Sequence, residues 1–260
     1  MRNRWWQLLL IAALVLGLAA CSSEQPPAST SDETGEPPTA GVPEIEAPAE
    51  TVISEAVPPT PESAFTDALI ALEKLESYRY TTSFLFVAEG DGETESGSME
   101  LTGVIAGPDR MHLVMRNVYE DELFEVIRIE SEAWMLDDEG WSRVPVLIAN
   151  AMTEAALVFA PSVTWNGLLG ELQPDASYVG KDVVNGVPAD HYTATYTQWG
   201  GYWPGELIDA AGDVWIAEAG YPVRYHFSAT GIDEDGSRGA VTWAMDLTDV
   251  NAPLTIEPPM

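Results

Sequence analysis

Few side chains here can do chemistry. Cys21 is the single cysteine of the 260 residues, and the histidines are His112, His191 and His226. A lone thiol can be a nucleophile, a metal ligand or an attachment point, and it has no partner for an internal disulfide. The histidines sit in stretches of strand-like alternation, without the spacing that closes a metal site. No G-x-S-x-G, H-E-x-x-H, P-loop or dinucleotide fingerprint occurs. The acidic turns Asp137 to Glu139 and Asp233 to Asp235 lack EF-hand spacing, and Asp and Gly are ordinary hairpin-turn residues. The sequence therefore predicts no catalytic residue, no metal and no cofactor, and an enzyme is not expected.

The residues before Cys21 give it a role. Arg2 and Arg4 form a positive start, and Trp5 to Leu18 is an apolar run broken only by Gln7 and Gly17. That run is too short to span a bilayer comfortably and reads as an export signal. Leu18-Ala19-Ala20-Cys21 resembles the bacterial lipobox, a Leu, two small residues and a Cys. The resemblance implies removal of residues 1–20 and diacylation of the Cys21 thiol by chains such as palmitate. Two or more chains hold a protein stably at a membrane where one does not. The expected location is the bacterial cell membrane, lipid-anchored on its extracytoplasmic face.

Charge narrows the partners. The formal charge is -31 and becomes two units more negative once Arg2 and Arg4 depart. Such a surface repels nucleic acid and disfavours broad docking onto anionic headgroups. The membrane is therefore reached through the anchor.

Residues 21–62 form the lipidated Cys and a linker. Pro26, Pro27, Pro37, Pro38, Pro43, Pro48, Pro58, Pro59 and Pro61 punctuate an acidic stretch that has no Lys, Arg or aromatic residue. Such a segment cannot bury enough apolar surface to fold. In polyproline geometry, about 3 Å per residue, it would reach on the order of 100 Å.

Residues 63–260, about 200, are enough for one domain with a sizeable core. Thr60 is a candidate N-cap, Pro61 suits N1, and Phe65, Ala68, Leu69, Leu72 and Leu75 form one apolar stripe of a helix over 61–77. From Tyr78 the period falls to two. Tyr80, Phe84 and Phe86 alternate with polar residues, and Glu89 to Gly92 turns the chain into a strand carrying Met99, Leu101 and Ile105. Short strands follow: Met111, Leu113 and Met115, then Leu123 to Ile129, then Ala133 to Leu136. Two apolar helices are expected at 145–160 and, capped by Ser162, at 162–172 with Trp165, Leu168, Leu169 and Leu172. Strands then resume on either side of Asn185-Gly186, a two-residue hairpin signal, with Tyr192, Ala194 and Tyr196 on one face. An aromatic excursion begins at Trp199, with a further short helix expected near 204–211. Val223, Tyr225 and Phe227, then Val241, Trp243, Met245 and Leu247, complete the alternation. The fold class is mainly β with some helix (α+β), a curved antiparallel half-barrel sheet wrapped around a few helices.

Gly180-Lys181-Asp182-Val183-Val184-Asn185-Gly186 leading to His191-Tyr192, Val214-Trp215-Ile216 with Gly220-Tyr221-Pro222-Val223-Arg224, and the closing Asp249 to Pro259 segment resemble the LolA-like lipoprotein carriers. Within them they are most similar to the actinobacterial LppX- and LprG-type glycolipid carriers. The resemblance spans 63–260 and implies an apolar cavity between sheet and helices for acyl chains of a lipid or glycolipid. The residues that could line it are Phe65, Leu69, Leu72, Phe84, Phe86, Met111, Leu113, Met115, Trp165, Leu169, Tyr192, Ala194, Tyr225, Trp243 and Met245. Periodicity does not separate cavity from core, so the same residues also suit a filled half-barrel acting as a surface interaction or envelope-sensor module with a protein partner.

If Cys21 carries the acyl chains, Cys21→Ala moves the protein from the membrane fraction to the soluble exported fraction or leaves the signal uncut. Cell fractionation with mass spectrometry of the N-terminus reads both outcomes, and a correctly processed mutant that stays in the membrane counts against the lipobox.

Overall fold

The computed structural model describes residues 60–90, 93–157, 159–197, 206–233 and 236–260. The signal segment, Cys21, the linker up to residue 59, the aromatic stretch 198–205 and parts of two hairpin turns lie outside the described residues.

Helix α1 (Pro61–Glu73) has Pro61 in its first turn and ends short of the expected residue 77; of the expected stripe it buries Phe65, Ala68 and Leu72, with Ala64 beside them, while Leu69 is half-buried and Leu75, also half-buried, lies beyond its end. Its start differs from expectation. The Thr60 side chain makes no capping bond to the helix backbone. Its hydroxyl is instead 3.0 Å from the Ser63 hydroxyl, while the Thr60 carbonyl accepts from the Ala64 N–H and the Ser63 hydroxyl, each at 2.9 Å.

Eleven antiparallel strands form one open, curled sheet. The first meander runs outward from β1 (Ser77–Gly90) through β2 (Glu93–Ala106), β3 (Arg110–Asn117), β4 (Glu122–Ile129) and β5 (Glu132–Asp137) to the edge strand β6 (Gly140–Val144). Helix α2 (Val146–Leu157), helix α3 (Pro161–Trp165) and a π-helical turn (Asn166–Glu171) then carry the chain to the opposite edge. There the second meander begins at β7 (Asp175–Val184). It returns through β8 (Val187–Thr195), β9 (Glu206–Ala217) and β10 (Pro222–Ile232) to β11 (Arg238–Thr248), which pairs with β1. Helix α3 begins one residue before the expected Ser162 cap, with Ala160 preceding Pro161 and no side-chain cap. The Asn185-Gly186 hairpin is present, and both residues take positive φ, 53° and 78°, as a type I′ turn requires.

One expectation fails. Of the helix expected near 204–211, residues 204 and 205 lie outside the described residues, and 206–211 are not helical, because Glu206–Ala217 is strand β9. Its Leu207 to Ala210 run is laddered to β10, and from Ala211 onward the strand is laddered to β8 as well. Pairing supplied by a neighbouring strand outweighs a weak local propensity.

The dry face is built from direct cross-strand pairs. On β1 and β11 these are Tyr80 with Leu247, Thr82 with Met245, Phe84 with Trp243 and Phe86 with Val241. The main cluster joins this face to residues of α1, α2, α3 and both meanders. Two hydrogen bonds pin the connection between α2 and α3 to it and α3 to α1. The Thr82 hydroxyl donates to the Phe159 carbonyl at 3.0 Å, and the Trp165 indole N–H donates to the Phe65 carbonyl at 3.0 Å. On the outer face a smaller cluster gathers Val104, Ile127 and Ile256 with Trp134, Trp141 and Leu254. The C-terminal segment thus packs against the back of the sheet. It is clipped in place where the Asn251 N–H donates to the Ser77 carbonyl at 2.7 Å and the Ser77 hydroxyl donates to the Ala252 carbonyl at 2.6 Å.

Two glycines fix how the aromatics lie. Gly103 stands opposite Tyr80 and Gly97 opposite Phe86, and a methyl added at either would run into the neighbouring ring. Tyr80 is buried and has nowhere to turn, whereas Phe86 is half-buried. Gly103→Ala is therefore expected to cost about 1–3 kcal/mol by overpacking, and Gly97→Ala less. Denaturant midpoints of the two variants check the order.

Candidate functional site

All fifteen candidate lining residues share the concave-face cluster, as the alternation predicts. The structure does not give them one environment. Phe65, Leu72, Met111, Leu113, Trp165, Leu169, Tyr192, Ala194, Tyr225 and Met245 are buried, while Leu69, Phe84, Phe86, Met115 and Trp243 are half-buried. Aromatic edges lock the interior: Phe65 meets Trp165 and Tyr192 with ring centroids 6.2 Å and 5.6 Å apart.

An open pocket lies at one end of the sheet. A cavity of about 800 Å³ opens where α1 ends and β1 begins. It is walled by Leu72 and Leu75, by Tyr78 of β1, Ile105 of β2 and Met111 of β3, and by Pro253 and Leu254 of the C-terminal segment. Its size is within the roughly 300–1,000 Å³ of small-molecule sites, and its wall is more apolar than polar. Burial pushes the Tyr78 phenol above its usual range, so this side of the wall stays uncharged. Glu73, Glu76, Arg110 and Arg128 supply the charges, with Arg110 paired to Glu130 at 2.7 Å.

Only Leu72 and Met111 of the fifteen candidates line this cavity. Leu75 and Ile105 were legible as apolar-face residues but not as cavity wall. Arg128 carried one signal: Phe124, Val126 and Arg128 share a face, so an arginine stands where the alternation calls for an apolar residue. The C-terminal wall had none, because that segment has no period.

A second apolar zone lies further along β1 and β11, where Phe84, Phe86, Phe159 and Trp243 pack with centroids 5.3–6.3 Å apart. The helices are as apolar outside as the sequence implies. Leu147 is 78% exposed, and Ile148 and Val163 are exposed too.

Two of the histidines are engaged with carboxylates, and none of the three lines the cavity. His112 pairs with Glu125 at 2.6 Å, and His191 pairs with Asp213 at 2.8 Å while stacking on Trp215. Among the described residues no cluster of His, Cys, Asp or Glu could hold a metal, and no helix is long and apolar enough to cross a membrane.

No protein-family model and no curated protein matches the sequence. Solved structures that the fold is similar to include the lipoprotein LppX of Mycobacterium tuberculosis, at 12% identity and TM-score 0.40, covering 76% of this chain and 98% of that one. A LolA superfamily protein of Nitrosomonas europaea matches at 9% identity and TM-score 0.29, over 74% of this chain and 95% of that one. MucB in complex with MucA(peri) matches at 14% identity and TM-score 0.30, over 72% and 56%. At such scores these likenesses carry no functional weight, and the half-barrel stands on its own strand order and burial.

Core and cavity are separated by where added volume is tolerated. Ala194 is 1% exposed, so Ala194→Trp is expected to cost about 1–3 kcal/mol or more by overpacking. Leu75→Trp grows into the cavity and is expected to cost less, in paired denaturant titrations. Equal losses would mean that the cavity is not usable space.

Proposed function

We propose that this protein is a lipid-anchored, extracytoplasmic carrier that binds the acyl chains of a lipid or lipoprotein and performs no covalent chemistry. The observation that carries the reading is the open cavity of about 800 Å³, with its apolar wall between helix, sheet end and C-terminal segment. The lipobox resemblance at Cys21 and the LolA-like elements support it from the sequence.

The physical task is to make a cavity match a bilayer. Each methylene is worth about 0.8 kcal/mol out of water, but it gains that in a membrane as well. Binding in an apolar cavity therefore makes exchange nearly isoenergetic, and no reacting group is needed. Met111, unbranched and polarizable, suits chains of variable shape. The acidic linker holds the domain near the membrane without pressing it there.

A second reading has its own support. Most candidate residues are sealed in a packed interior, with Trp165 at 1% exposure, which is what a filled half-barrel serving as an interaction or sensor module would have.

Mass spectrometry of organic extracts from protein purified from its own host distinguishes the two. A carrier is expected to yield acyl lipids in about one-to-one amounts and to bind a fluorescent fatty acid after delipidation. Empty extracts and no displaceable probe would favour the interaction module.

A further inference from the structure

Arg128 is out of place. It belongs to the dry face of the sheet, because Phe124, Val126 and Arg128 of β4 pair directly with Met115, Leu113 and Met111 of β3. This chain has 42 acidic residues against 11 basic ones, and its arginines readily find carboxylates. Arg79 meets Asp249, Arg110 meets Glu130, Arg116 meets Asp121, Arg143 meets Glu132 and Arg224 meets Asp246. Arg128 has no such partner among the described residues. Its guanidinium is held by neutral acceptors alone, with Nη1 donating to Asn150 Oδ1 at 3.2 Å and Nη2 to the Pro108 carbonyl at 2.9 Å. Its Nε–H is buried without an acceptor. These bonds orient the group without neutralising it, and an unsatisfied buried donor is costly to keep.

The same arginine lines the cavity. A planar, permanently charged fork beside an apolar wall is suited to one ligand chemistry, an acyl chain that ends in a carboxylate or phosphate. We propose that Arg128 receives the anionic headgroup of an amphiphile whose chain lies along Leu72, Leu75, Tyr78, Ile105 and Met111. This deepens the lipid-binding reading above and rests on it. Glu73 and Glu76 at the helix end of the cavity are exposed, so their repulsion is screened over about 8–10 Å at physiological salt. A guanidinium partly withdrawn from water keeps more of its attraction.

The test uses the full exported chain carrying Cys21→Ala, with a neutral fluorescent acyl probe displaced by oleate, oleoyl-lysophosphatidate, uncharged monooleoylglycerol or inorganic phosphate. The parent is expected to bind the two anionic amphiphiles at least about tenfold more tightly than monooleoylglycerol, the range of one charge-assisted hydrogen bond. Arg128→Gln is expected to remove that preference and leave the affinity for monooleoylglycerol within about threefold, while Arg128→Lys keeps part of the preference. Thermal midpoints establish that the variants are folded. A preference unchanged in Arg128→Gln overturns the headgroup assignment and leaves the lipid reading standing. A parent without preference overturns it too, whatever the variants do. Phosphate alone competing as well as oleoyl-lysophosphatidate makes this a free-anion site and overturns the amphiphile. If no amphiphile displaces the probe from the parent, both readings fail.

Discussion

The molecule depends on one crossing. Two meanders leave the sheet with edges at β6 and β7, and the chain must pass from one to the other. Ten inter-strand steps of about 4.8 Å would hold those edges roughly 48 Å apart in a flat sheet. Helix α2, at 1.5 Å per residue, covers only about 18 Å of that. Curling the sheet brings the edges towards each other and lays the connection along the concave face, where its apolar residues are needed. Thr82 and Trp165 then decide where it sits, each by donating a hydrogen bond to a backbone carbonyl, Phe159 and Phe65 respectively.

This arrangement explains why the interior is dense in one place and open in another. Around Trp165, helices α1 and α3 meet each other and the second meander, and the aromatic rings interlock edge to face. At the start of β1 the helix has ended, and the C-terminal segment arrives only at the rim. Cover from two sides leaves a gap that neither side fills, and the cavity is that gap. The placement of glycine follows the same economy of volume. Gly103 and Gly97 are vacant sites into which Tyr80 and Phe86 lie down, so the sheet carries large rings without thickening.

Much of the fold was legible because the chain obeys simple periods. The change from 3.6 to 2 at Tyr78, the Asn185-Gly186 turn and the apolar run after Val146 each state a local conformation that the whole fold then keeps. The misses have distinct causes. Leu207 to Ala211 reads as a helix and forms a strand because its pairing with β10 is a property of the neighbour, not of the segment. The π-helical turn at Asn166–Glu171 leaves Leu168 and Leu169 buried much as an α-helix would, so periodicity could not reveal it. The cavity was hidden for a deeper reason: an apolar residue facing a void and one facing a neighbour have the same pattern. On β4, Arg128 breaks the run of Phe124 and Val126, and the break falls at the wall of the open space.

The central seam of the sheet joins its first strand to its last. Tyr80 pairs with Leu247 and Phe86 with Val241, partners more than 150 residues apart in sequence, and the closing Pro253 and Leu254 complete the cavity wall. A chain synthesised amino end first can build each meander from local hairpins as it appears. It cannot close the seam until the carboxyl end is made. Such distant pairing is slow, and until it forms the edges of β1 and β11 stand open to wrong partners. The cavity wall is therefore complete only once the last strand and the segment beyond it are in place.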